Sequence, residues 1–269
     1  MQQYAPSSPL CVNTIFISDI HLGFKGCQAD ALLNFLESVD ARKVYLVGDI
    51  IDIWQMKKSI HWPPSHIKIL EKLVRMSIDG VDIIYIPGNH DEVLRQYTGL
   101  SIGNISLRQK DVHVTAQGIR LLVLHGDAFD SVIQSNKAIG LIGSHLYDRI
   151  IDLNHYFNAA RSKFGFNHWS LATFLKNKME NAIHYIANFR RALTYEAQRN
   201  GLDGVVCGHI HHPEITEEEG ILYCNDGDWV ENSTALIEHL DGQLKLITWR
   251  QGTLYSETGL PQDKKASHA

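Results

Sequence analysis

Five short apolar runs, Thr14–Ser18, Val44–Val47, Ile83–Ile86, Leu121–Leu124 and Val205–Cys207, are rich in β-branched residues, and each gives way to polar residues at its C-terminal side. Runs of this length and composition predict buried strands. Among them, helical periodicity predicts helices near Gln28–Val39 and Ser65–Asp79. From residue 203 the pattern is again strand-like: Asp203–Cys207, a hairpin through Glu217-Glu218-Glu219-Gly220, Thr234–His239, and Leu244–Trp249 after the Asp241-Gly242 turn. The acidic triplet reads as a solvated turn. The pattern predicts an α/β fold of two sheets face to face with helices on their outer faces, an αββα sandwich.

The interval between His125 and His209 breaks this rhythm. Apolar residues recur at three and four through Ile139, Ile142, Leu146, Ile150, Leu153 and Phe157, and again through Leu171, Leu175, Met179, Ala182, Ile186, Phe189 and Leu193. Two amphipathic helices are predicted, turning at Gly165 amid Phe164, Phe166, His168 and Trp169. A single domain over 12–250 is therefore expected, with a helical hairpin inserted at 130–200. The hairpin reads either as a lid over the strand ends or as an ordinary αα-hairpin packed on the sheet. Residues 1–11 and 251–269 are polar and read as flexible tails. With 269 residues, 44% of them hydrophobic, the chain can bury one large core.

The polar residues that end the strands carry the chemistry. In order they are Asp19-Ile20-His21, Gly48-Asp49-Ile50-Ile51-Asp52, Gly88-Asn89-His90-Asp91, His125-Gly126-Asp127 and Gly208-His209-Ile210-His211. Ligands collect at the carboxyl ends of strands in open α/β sheets, so residues far apart in sequence can converge there. Carboxylate, imidazole and carboxamide together, with no thiolate in any motif, suit Mn²⁺, Fe²⁺ or Zn²⁺ better than Ca²⁺ or a structural zinc. Two such ions roughly 3.5 to 4 Å apart can share one carboxylate and neutralise a phosphoryl group in an in-line displacement. Asp49 is the natural bridge. Any one motif alone is uninformative, since glycine-aspartate pairs mostly make turns, but five in order point to an enzyme.

This order of motifs resembles the calcineurin-like metallophosphoesterase superfamily, over about residues 12 to 249. The resemblance implies two divalent metal ions, manganese in the first instance, with iron or zinc as alternatives. Asp19, His21, Asp49 and His211 would hold the first, and Asp49, Asn89, His125 and His209 the second. It makes His90 the catalytic histidine at the leaving-group or equatorial phosphoryl oxygen, with Asp91 fixing its tautomer. Asp52 has two readings, orienting a metal ligand or starting a helix. His212 follows the last ligand, where it either reaches substrate or meets solvent.

Composition narrows the field. A net charge of −5 leaves no basic excess for binding nucleic acid. The four cysteines, Cys11, Cys27, Cys207 and Cys224, show no Cys-x-x-Cys spacing and read as reduced thiols of a cytoplasmic protein. No stretch is apolar and long enough to span a membrane, the first ten residues do not make a secretory signal, and no obligate protein partner is indicated.

Basic residues gather in the helical interval, among them Arg149, Arg161, Lys163, Lys176, Lys178, Arg190 and Arg191, beside the aromatics Tyr156, Phe157, Phe164, Phe166 and Trp169. An apolar wall with a cationic rim suits an amphiphilic phosphate ester, with Arg161, Lys163, Trp169 and Lys178 as candidate substrate contacts. It also suits shallow docking on the inner face of an anionic membrane. Solvated lysines on an ordinary helix give the same pattern. Within the superfamily the long interval, Ile53-Trp54 after the second motif and Gly227-Asp228-Trp229 resemble the UDP-2,3-diacylglucosamine diphosphatase group of the lipid A pathway, peripheral-membrane hydrolases that release UMP and a lipid monosaccharide phosphate. One position departs: characterised members of that group have arginine where this chain has His90, and histidine can exchange a proton near neutral pH where arginine cannot. The alternatives are a phosphodiesterase or phosphomonoesterase acting on another nucleotide or phospholipid, and a non-catalytic metal-bound scaffold, against which the retention of His90 and every inferred ligand speaks.

Overall fold

Strand β1 (Leu10–Ile17) shows how the sequence partitions itself: Val12, Ile15 and Ile17 enter one hydrophobic layer while Phe16 enters another. The neighbouring β2 (Val39–Val47) and β3 (Asp82–Ile86) do the same, with Val44, Leu46 and Ile83 on one side and Tyr45, Val47, Ile84 and Ile86 on the other. Burial on both faces is why these strands read as nearly continuous apolar runs. A computed structural model describes residues 9–130, 171–250 and 252–259, with the backbone alone for 171–181.

Between these strands come helices α1 (Ala29–Ser38), α2 (Ile53–Met56) and α3 (Pro64–Ile78). They are followed by β4 (Ser101–Ile102), β5 (Ile105–Leu107), β6 (Asp111–Val114), β7 (Arg120–Val123) and the long helix α4 (Leu171–Arg199). The last elements are β8 (Gly204–Cys207), β9 (Glu214–Glu218), β10 (Ile221–Asn225), β11 (Thr234–His239), β12 (Leu244–Arg250) and β13 (Thr253–Thr258). One sheet has the order β13-β12-β11-β1-β2-β3-β5-β4 and the other β6-β7-β8-β10-β9. In the first, β1, β2, β3 and β5 run parallel, and β11 to β13 close it as an antiparallel meander.

The two faces of the first sheet have different neighbours. Leu32, Phe35 and Leu36 of α1 and Ile69, Leu73 and Met76 of α3, spaced at three and four, share a core with Val12, Ile15, Val44 and Ile83. On the opposite face, Phe16, Tyr45, Ile84 and Leu236 pack with Leu121, Val123, Val206 and Cys224 of the second sheet. Polar links cross this inter-sheet core: Tyr45 Oη of β2 donates to Asp111 of β6 at 2.9 Å, and a second link centres on β11. Glu238 of β11 accepts hydrogen bonds from Thr14 Oγ1 at 2.9 Å, from Ala116 N at 2.7 Å and from His113 Nε2 at 2.8 Å.

The helices expected at 28–39 and 65–79, the β-hairpin through Glu217–Gly220 and the two-sheet α/β architecture are present, with two corrections at the ends. Leu10 already belongs to β1, so the N-terminal tail is shorter than the sequence implied. Residues 253–258, expected in a flexible tail, form β13 and pair antiparallel with β12. This edge strand is mostly exposed along its length, so it carries no buried apolar signature.

The chain divides into two compact units, residues 1–128 with 193–269, and residues 129–192. Within the smaller, Tyr185 Oη donates to Asp130 at 2.6 Å and its ring stacks on Phe189 at 6.2 Å. Of the stripe read for the second inserted helix, Phe189 and Leu193 are buried while Ala182 is exposed. The first inserted helix and the Gly165 turn lie outside the described residues. No helix among the described residues is long and apolar enough to cross a membrane.

Candidate active site

The motif segments leave the C-terminal ends of β1, β2, β3, β7 and β8 and are tied to one another through the backbone. Asp19 N donates to Gly48 O at 3.0 Å, His21 N to Asp49 O at 2.9 Å, and Gly208 N to His125 O at 3.2 Å. Asp19, His21, Asp49, His209 and His211 all have φ between 50° and 71°. Non-glycine residues adopt this left-handed region at a cost of order 1 kcal/mol or more, and such strain gathers at functional sites. Among the described residues only Glu219 and Ser233 share it elsewhere. The motif glycines make room: a Cβ on Gly48, itself at φ 90°, would strike the His125 imidazole, and one on Gly88 would strike the Asp49 carboxylate.

Asp49 is the hub. Its Oδ1 accepts from His90 N at 2.8 Å, which leaves Oδ2 facing His125 Nε2 at 3.4 Å, His21 Nε2 at 3.9 Å and His90 Nε2 at 4.0 Å. Asp19 Oδ2 accepts from His209 N at 2.8 Å, and its Oδ1 lies 3.2 Å from His211 Nε2. Donor atoms fall into three overlapping groups, each within 4.8 Å: Asp19, His21 and His211; His21, Asp49 and His90; Asp49, His125 and His209. The rings are aimed from behind. His125 Nδ1 is 2.8 Å from Val47 O and His21 Nδ1 is 3.2 Å from Asp52, which turns both Nε2 atoms inward as metal ligands require.

Three polar atoms here are buried without a hydrogen bond: Asp19 Oδ1, Asn89 Oδ1 and His125 Nε2. Buried polar atoms are rarely left so. Lone pairs from carboxylate, carboxamide and imidazole, converging and unsatisfied, fit a pair of divalent cations. The electrostatics agree. Burial pulls the His125 and His211 imidazoles down, but the Asp49 and Asp19 carboxylates outweigh it and raise them to about 10 and about 9. Asp19 is pushed up by burial yet ends well below its ordinary range, because the charge of His211 lies against it. Protons on these rings answer a field that bound cations would answer in their place.

Asp52 settles both of its readings at once. Its Oδ1 takes the Gln55 N–H at 2.8 Å, starting α2, and also lies 2.9 Å from His90 Nδ1, while Oδ2 faces His21. The expectation for Asp91 is corrected accordingly. The partner of the His90 imidazole is Asp52, and Asp91 accepts from Gly88 N at 2.6 Å, Ile50 N at 2.9 Å and Tyr85 Oη at 2.6 Å, clamping the third motif to the second. A carboxylate ringed by loop amides and a phenol is committed to holding those loops. His212 is exposed. Arg161, Lys163 and Trp169 lie outside the described residues, as does the side chain of Lys178.

Behind these side chains lie Ser18, Asp226, Asp228 and Asn232, of which only Asp228, within Gly227-Asp228-Trp229, stood out in the sequence. Ser18 Oγ lies 2.5 Å from both Asp19 Oδ2 and Asp226 Oδ1. One hydroxyl hydrogen serves only one acceptor, and burial raises the Asp226 carboxyl well above its ordinary range, so a neutral Asp226 can donate to Ser18 while Ser18 donates to Asp19. Asp228 accepts from Val230 N and Asn232 Nδ2, and Asn232 Nδ2 reaches His211 O at 3.1 Å. The signal was the familiar one: Asn225-Asp226-Gly227-Asp228 ends an apolar run as the five motifs do. Arg95, gripping Asp127 at 2.8 Å and Pro87 O at 3.2 Å, ties the third and fourth motif loops.

A family model described as calcineurin-like phosphoesterase matches residues 12–213. The chain belongs to this family. As a calcineurin-like phosphoesterase it is a metal-dependent hydrolase of phosphoric esters. Among curated proteins, the UDP-2,3-diacylglucosamine hydrolase of Neisseria meningitidis serogroup C is 28% identical over 236 residues, spanning 84% of this chain and 93% of its own. That of Blochmanniella pennsylvanica is 25% identical over 207 residues, spanning 76% and 81%. Among solved structures, Yfce, a phosphoesterase from E. coli, is 16% identical with a TM-score of 0.46, spanning 92% of this chain and 99% of its own.

Proposed function

We propose that this phosphoesterase binds two divalent cations, with manganese preferred, and hydrolyses the pyrophosphate of UDP-2,3-diacylglucosamine to UMP and a lipid monosaccharide phosphate. The observation that carries the dinuclear part is Asp49 Oδ2, which faces ligand nitrogens of two separate groups from one atom. Asp19, His21, Asp49 and His211 would hold one cation, and Asp49, Asn89, His125 and His209 the other. When bound, such a pair lowers the pKa of a water and neutralises phosphoryl oxygens.

The chain's own contribution centres on His90. Burial works to lower its pKa, but the hydrogen bond to Asp52 and the charge of Asp49 outweigh it, and the imidazole sits above its ordinary 6.5. That shift favours the protonated ring, whose Nε2 would give its proton to a departing phosphate oxygen. The lipid substrate is supported by the two diacylglucosamine hydrolases, which match most of this chain. We assign the acyl-chain contacts to the 130–200 segment, with Arg161, Lys163, Trp169 and Lys178 as the residues to test, and place the enzyme at the cytoplasmic face of the inner membrane.

His90 itself favours a second reading. A histidine that can move a proton suits poorer leaving groups, such as those of a phosphodiester on another nucleotide or phospholipid. The two separate in one assay of the purified protein with Mn²⁺. UMP release from UDP-2,3-diacylglucosamine supports the first, and turnover of bis-p-nitrophenyl phosphate without UMP release supports the second. Failure on both substrates rejects the catalytic assignment.

A further inference from the structure

We propose that the segment Trp54–Trp62, running from α2 into the loop after it, with Phe24 and Lys25 beside it, is a docking surface for an anionic lipid bilayer; this deepens the reading of the enzyme as acting at a membrane and rests on it. The chain carries a net charge of −5, yet from Ile53 to Leu70 it contains no aspartate or glutamate and holds Lys57, Lys58 and Lys68. All three lysines are exposed, and so is Lys25.

The apolar side chains in the same stretch are exposed too. Ile60 is 77% exposed and Trp54 42%, and Phe24 and Ile67 also face solvent. Large apolar side chains set among cations and free of acids match a surface that offers headgroup anions above an acyl interior. The two segments form one patch. Leu22 bridges to Ile51, and Gly23 lies so near Met56 that a Cβ there would meet the Met56 side chain. The patch borders the active site, since the Trp54 ring lies 4.8 Å from that of His90. Docking here would bring the catalytic histidine to the lipid surface and leave it as the shortest path for an amphiphilic substrate.

The test uses the full chain and sedimentation with vesicles of phosphatidylcholine, alone or mixed with phosphatidylglycerol. Binding should require phosphatidylglycerol and weaken with salt. Each lysine near an anionic surface contributes roughly fivefold, so Lys57→Gln/Lys58→Gln should weaken binding about 25-fold. Ile60→Ser should weaken it as well, while turnover of bis-p-nitrophenyl phosphate by all these variants stays unchanged. Binding that ignores phosphatidylglycerol, or survives the double lysine variant, overturns the proposal. Loss with the lysines but none with Ile60→Ser also overturns it, by revealing a purely electrostatic site for a soluble polyanion. Intact vesicle binding by a protein that releases no UMP would leave this surface standing and reject only the lipid substrate.

Discussion

Asp52 Oδ1 lies 2.9 Å from Nδ1 of His90, while its Oδ2 lies 3.2 Å from Nδ1 of His21. One carboxylate thus aims the proposed acid and a proposed metal ligand together. Asp52→Asn keeps the shape and removes the charge that raises His90. Its kcat/KM should fall about 10- to 100-fold. The basic limb of the pH profile, where His90 loses its proton, should move to lower pH. A limb that stays in place would show that Asp52 does not govern the protonation of His90.

Chelation should abolish turnover, and Mn²⁺ should restore it. Because a divalent ion must displace protons from His125 and His211, whose pKa values stand at about 10 and about 9, Mn²⁺ affinity should increase as pH rises through neutrality. Asp49→Ala should lose both ions, whereas His90→Ala should keep its metal and lose turnover by about 10²- to 10⁴-fold. Metal content by mass spectrometry, set beside bis-p-nitrophenyl phosphate turnover, reads both. Asp49→Ala protein that retains two ions would remove Asp49 from the bridge.

Glu238 makes a stability prediction far from the metals. Burial pushes its carboxyl up, but the hydrogen bonds from His113, Ala116 N and Thr14 outweigh that and hold it below its ordinary 4.5. A depressed folded pKa contributes stability that is fully present above about 4.5 and is lost as pH falls through the lower folded value. Glu238→Gln should cost about 1 to 3 kcal/mol at neutral pH, from buried donors left poorly paired. It should also flatten the acid side of the denaturation profile, measured by urea melts at several pH values. An unchanged acid limb would show that the link is already broken in the native state.

Gly88→Ala places a methyl group against the Asp49 carboxylate and backbone. We expect metal affinity and turnover to fall together, with the larger part of the loss in metal content. Full metal occupancy in this variant would mean that the loops can part at no cost.

The order and ends of the strands were readable because burial on both faces leaves an uninterrupted apolar record, as in Val44–Val47 and Ile83–Ile86. The candidate ligands were readable because each stands directly after such a record. Asp91 misled because adjacency to His90 says nothing of where a carboxylate points, and Tyr85, Gly88 and Ile50 compete for it. Asp52 was ambiguous in sequence for a physical reason: a carboxylate has two oxygens, and here it uses them for a helix start and two imidazoles. β13 escaped notice because a mostly exposed edge strand needs no apolar face. The strain at Asp19, His21, Asp49, His209 and His211 leaves no compositional trace, since left-handed backbone is expected of glycine and is imposed here by tertiary contacts.

The position of β1 between β2 and β11 has a bearing on how the enzyme is made. Asp19 is held by the backbone of His209, 190 residues further along, and Trp229 N donates to Asp19 O. A nascent chain leaving the ribosome therefore carries β1 to β3 with one side of β1 uncovered until β11 has been synthesised. An uncovered strand edge invites pairing with other chains. With His209 and His211 as proposed ligands, both metal sites would be complete only after β8 has been synthesised, and a chain cut before Gly208 should emerge inactive and with that strand edge open.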